Sequence, residues 1–175
     1  MTYNNYKNKS LTTGFTLIEL LLYVGISSII LFIISLFLGA MLQSQVKNQA
    51  ILEVEQQGMQ VLYTMTRVIR NADSISNPTI GSSGSSLTIV TADPLTNPSV
   101  FSVSNGSLLI TEGVNSPISL NNNQVTISDF MVENLSRVGT AGTVKIQFKI
   151  SYINPSGRNE YDFSKTFYGN ATINK

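Results

Sequence analysis

The chain has 175 residues, eleven of them basic and ten acidic, for a formal net charge of +1. It contains no cysteine and no histidine, which excludes disulfides, thiol chemistry, Cys/His zinc sites and histidine acid–base catalysis. A nearly neutral chain offers no electrostatic footprint for nucleic acid, and the length suits one ordinary domain plus an anchor.

Met1 to Gly14 is polar and mildly basic, carrying Lys7 and Lys9. Phe15 to Leu42 is then apolar apart from Glu19 and a few small or hydroxyl residues, and Glu19 is the only charge between Lys9 and Lys47. This run exceeds the ~20 residues a helix needs to cross a bilayer, and it is longer than the ~7–15 apolar residues of a secretory signal. Basic residues ahead of it predict a single-pass anchor with its N-terminus in the cytoplasm and the rest of the chain outside.

The helix is expected to continue beyond the membrane. Val46, Ala50, Val54, Val61, Met65, Val68 and Ala72 recur at steps of three, four or seven, an apolar stripe of helical period. Together the two parts predict one helix of roughly 55 residues, or ~80 Å. Residues 15–42 form its membrane half and 43–77 its amphipathic continuation, with "SISNP" as the stop signal.

After Pro78 the period changes to two, and 78–175 reads as a β-rich globular domain. "TVKIQFKISY" puts Val144, Ile146, Phe148, Ile150 and Tyr152 on one face of a half-buried strand. Asn105-Gly106 between two apolar runs is a hairpin signal. "LTIVTA", "PISL" and "QVTISDFMVENL" read as further strands, and Tyr161, Phe163, Phe167, Ala171 and Ile173 share a parity in a last one. "IGSSGSS" at 80–86 reads as a flexible loop. The expected fold class is α+β, a long N-terminal helix packed on a small antiparallel β-sheet.

Glu19 is the residue that needs a reason. A carboxylate at the start of a membrane helix can sit in the headgroup zone, or it can meet a counter-charge and hydrogen bonds. A chain cut after Gly14 would supply that charge, since the Phe15 amine would lie about one helical turn from Glu19.

"GFTLIELLLYVGISSIIL" resembles the N-terminus of type IV pilins and of the pseudopilins of type II secretion and competence systems. The likeness covers Thr13 to about Leu38 and extends over the rest of the chain only in layout. It implies cleavage between Gly14 and Phe15 by a prepilin peptidase, N-methylation of Phe15, and a contact between Glu19 and the Phe15 amine of an adjacent subunit during filament assembly. It further implies partnership with other pilin or pseudopilin subunits. An assembly platform protein and its ATPase act indirectly, and membrane lipid surrounds the helix before assembly. Major pilins of the family often carry a proline in the first half of the helix; here Ser35, Leu36 and Phe37 occupy that region. Together with "TMTRVIRNADSI", this resembles a minor pilin or J-type pseudopilin.

At 100° per residue, Gly25, Ser28, Ser35 and Gly39 fall in one sector, away from Glu19. Small residues on one face let helices approach closely, so this stripe is a candidate helix–helix contact. The ten carboxylates are scattered; Asp129 and Glu133 share a strand face but lack the six or more oxygens of a calcium site. No catalytic residue, metal or cofactor is expected. Phe148, Tyr152, Phe163, Phe167 and Tyr168 read as core. The expectation is therefore a non-enzymatic structural subunit; the alternative is a single-pass anchored adhesin or binding protein with a β-rich extracytoplasmic domain.

Overall fold

A computed structural model describes residues 14–140 and 142–174. Of the expected leader, 1–14, all but Gly14 lies outside the described residues. The chain forms two compact units, Met1–Leu42 and Gln43–Lys175. The fold is α+β, with one long N-terminal helix packed against antiparallel sheets.

Helix α1 spans Leu17–Arg70. In the first unit, every large apolar side chain from Leu17 to Leu42 is at least 47% exposed. By length and composition this stretch is apolar enough to cross a membrane. In the second unit, the helix buries Ala50, Val54, Gln57, Gly58, Val61, Met65 and Ile69. The expected stripe is close to this set, but Val46 and Val68 are only half-buried.

The helix stops at Arg70, short of the expected 77. Asn71 and Ala72 donate to the carbonyls of Val68 and Ile69, tightening the last turn, and Asp73 N–H then donates to Val90 O at 2.7 Å. Residues Ser74–Asn77 are strand β1, not helix. Two physical terms end the helix here. Pro78 disfavours helical backbone in the residue before it, and Ile75 gains a cross-strand partner in Ile89. The end is also closed by the far end of the chain, where Asn174 N–H donates to Arg70 O at 3.0 Å.

The β region contains two sheets rather than the single sheet expected. Strands β2 to β9 are Ser83–Gly84, Ser86–Val90, Ser99–Ser104, Ser107–Glu112, Ile118–Ser119, Val125–Asn134, Thr143–Tyr152 and Ser164–Thr172. One sheet has the order β1-β3-β4-β5-β6 and the other β2-β7-β8-β9. The supposed loop at 80–86 is where the chain changes sheets. Ser83 and Gly84 pair with Glu133 and Val132, and Ser86 then opens β3 in the other sheet. Both sheets and the helix share one core, in which Phe101, Phe148, Met65 and Ile69 are fully buried.

The β4–β5 hairpin turns at Asn105 and Gly106, whose φ values of 49° and 76° are the positive pair that a type I′ turn requires. In β7 the core face passes from Val125 and Ile127 to Phe130 and Val132, a change of parity. A register shift between Ser128 and Met131 absorbs it, with Asp129 as a left-handed residue at φ 51°. Such a bulge inserts one unpaired residue and keeps both halves of the strand facing the core. Tyr161 does not belong to the last strand; it ends a 3-10 turn, Asn159–Tyr161, and β9 begins at Ser164.

Candidate functional site

The helix start is built from Gly14 to Tyr23. Gly14 is exposed, outside the helix, and an added Cβ there would meet open space. Phe15 precedes the helix and is 72% exposed. Thr16 caps the helix: Glu19 N–H donates to Thr16 Oγ1 at 3.3 Å, and Leu20 N–H to Thr16 O at 3.1 Å. Thr16 and Glu19 thus stand at the two positions of a Thr-x-x-Glu capping box, where a side-chain oxygen satisfies an orphan backbone donor. The Glu19 carboxylate lies in the first turn, where the helix dipole favours negative charge.

Tyr23, one turn further, donates its hydroxyl to Glu19 Oε1 at 3.5 Å. Its ring meets that of Phe15 edge-on, with centroids 5.8 Å apart at 65°. Phe15, Glu19 and Tyr23 therefore form one column at spacing four. Thr16 and Tyr23 are the members that the sequence reading missed. The Thr-x-x-Glu spacing and the i, i+4, i+8 recurrence were the signals available for them.

Gly25, Ser28, Ser35 and Gly39 are all exposed, and added Cβ atoms at the two glycines would meet no neighbour within 4 Å. Ser28 donates its hydroxyl to Val24 O at 2.8 Å, so its polar group is satisfied within its own helix.

The strand aromatics divide. Phe148 and Phe167 are core, their rings stacked at 5.6 Å and 17°. Phe163 packs against the core from its edge. Tyr168 is 63% exposed, and Tyr152 is half-buried beside Tyr161 at the rim of a groove. The expectation that all five are core fails for Tyr168, whereas Tyr152, like Phe163, is partly buried and packs against the core. Tyr168 sits opposite Gln147 on the outer face of its sheet, and Tyr152 lies at the last position of β8, where the core ends.

Asp129 occupies the bulge, and Glu133 pairs with Lys145 at 3.8 Å. Among the described residues, no three His, Cys, Asp or Glu side chains come together in a way that could hold a metal ion. No family model, curated protein or solved structure matches the chain.

Proposed function

We propose that this chain is a structural subunit, a minor pilin or pseudopilin, of a type IV pilus-like, type II secretion or competence filament. The observation that carries the reading is the helix start. An exposed Gly14–Phe15 junction leads into a Thr16-capped turn bearing Glu19, followed by a helix whose large apolar side chains are all exposed as far as Leu42. Such a surface needs lipid or other helices to cover it.

The mechanism is polymerisation rather than catalysis. The unassembled chain is held in the cytoplasmic membrane with its N-terminus inside and the β domain outside. Prepilin peptidase cuts between Gly14 and Phe15 and methylates the new amine. The amine of one subunit then meets Glu19 of its neighbour as the helices bundle, with the stripe from Gly25 to Gly39 as a close-contact face. A platform protein and an ATPase drive extraction from the membrane.

The test is intact mass and N-terminal sequencing of the chain from its native membrane. The expected product begins at Phe15 and carries one added methyl group. A chain that keeps Met1 or an unprocessed leader refutes the reading and leaves a plain membrane anchor, on which Glu19 is a capping and interfacial residue.

A further inference from the structure

A shallow groove of about 320 Å³ lies beside the end of β8. Tyr152 and Tyr161 stack there with ring centroids 5.9 Å apart and only 12° between planes, and both line the groove. Backbone hydrogen bonds fix the chain here: Tyr152 N–H donates to Phe163 O and Ile153 N–H to Gln124 O, each at 2.9 Å. Asn123 and Gln124 form its polar side, and among the described residues no charged side chain lines it. Neither of those two carboxamide side chains is hydrogen-bonded to any described residue.

A second groove, also about 320 Å³, shares Gln124 and Tyr152 and runs onto the helix, where it adds Gln49 and Gln56. Glu53, its one charged member among the described residues, is already engaged, accepting from Asn122 Nδ2 at 2.6 Å. The two grooves thus meet at Tyr152 and Gln124, Asn123 adding a carboxamide to the first and Gln49 and Gln56 to the second, and each has the size of a small-molecule site.

The chemistry of this lining selects a ligand. A charged ligand would lose water and find no counter-charge among the described residues of the first groove. A ring with an apolar C–H face and a rim of hydroxyls uses everything present. Aromatic faces cover the C–H surface, and each carboxamide offers both an acceptor and donors to neighbouring hydroxyls. A proline-rich peptide could also lie on the tyrosines, but it presents mainly carbonyl acceptors and would use only the donor half of each amide.

We propose that the Tyr152–Tyr161 groove binds a neutral oligosaccharide, with sugar rings on the tyrosines and hydroxyls on Asn123, Gln124, Gln49 and Gln56. The site is independent of the filament reading, since it belongs wholly to the second unit and serves an anchored monomer or an assembled subunit equally.

The test uses the full chain in detergent and titrates cellotetraose, chitotetraose and mannotetraose, with decaproline as the peptide probe. The readout is calorimetry, supported by tyrosine emission, which is unobscured because the chain has no tryptophan. At least one tetrasaccharide should bind. Tyr161→Ala and the exposed double variant Asn123→Ala/Gln124→Ala should each weaken it by about tenfold, the scale set by losing one or two such contacts. Tyr168→Ala, on the opposite face of the same sheet, should bind unchanged. The double variant alters only exposed side chains, so it keeps the test valid if Tyr161→Ala unfolds. No binding of any tetrasaccharide up to about 10 mM, weaker than specific sites ordinarily reach, overturns the proposal. Binding that survives the double variant, or binding of decaproline alone, overturns it as well.

Discussion

Gly58 is the only glycine between Gln43 and Asn71, and it lies on the buried face of the helix. Phe167 explains it. A Cβ built on Gly58 would meet Cζ, Cε1 and Cε2 of the Phe167 ring, all three nearer than 3.0 Å. Carbon contacts are comfortable at ~3.5–4.0 Å, so in Gly58→Ala the ring or the helix must retreat by about 1.5 Å. The ring has little freedom to do so: it is 6% exposed, stacked on Phe148, and lies under the Lys165 ammonium at 5.5 Å. Two terms then oppose each other. Alanine is a better helix former than glycine by about 1 kcal/mol, whereas overpacking a core costs about 1–3 kcal/mol. Three clashing ring atoms put the cost at the upper end, for a net loss of about 1–2 kcal/mol. The midpoint of thermal unfolding should fall by about 3–8 °C in a unit of this size. Differential scanning of the full chain in detergent measures it. Phe167→Leu in the Gly58→Ala background should recover part of the loss, because residues in contact are energetically coupled. An unchanged or raised midpoint in Gly58→Ala would refute the reasoning, since helix propensity would then outweigh the contact.

Two further substitutions test what holds the β region together. Asn121 is buried; its Oδ1 accepts from Leu108 N–H at 2.9 Å and its Nδ2 donates to Val125 O at 3.1 Å, tying one sheet to the other. Asn121→Ala leaves both backbone groups without that partner and should cost about 2–4 kcal/mol, read as a lowered denaturant midpoint. By contrast, Lys165 and Glu55 pair at 2.8 Å with side chains 46% and 45% exposed. Lys165→Met should change stability by less than about 1 kcal/mol, and by less still in high salt.

The parts of the fold that rest on local pattern were legible in the residues. Alternation in Thr143–Tyr152 marks β8, because a side-chain period of two is a property of extended backbone. Asn105-Gly106 marks its hairpin, because few residues tolerate two successive positive φ values. The apolar stretch from Phe15 marks, from sequence alone, a helix long and apolar enough to cross a membrane.

Only tertiary structure decided the rest. Whether Ser74–Asn77 extends the helix or pairs with β3 depends on Ile89 and Val90, residues distant in sequence. The Ser/Gly stretch at 80–86 carries almost no side-chain signal, and its role as the crossing between two sheets comes from backbone pairing with Val132 and Glu133. Gly58 looks like a weak point in a helix until the Phe167 ring is seated on it. Tyr152 shares the parity of the core strand, yet it sits where the core runs out, so Tyr161 stacks on it and a groove opens beside them. Period and turn chemistry are local and survive in one dimension, whereas pairing, ring seating and the end of a core depend on which distant residues arrive at the same place.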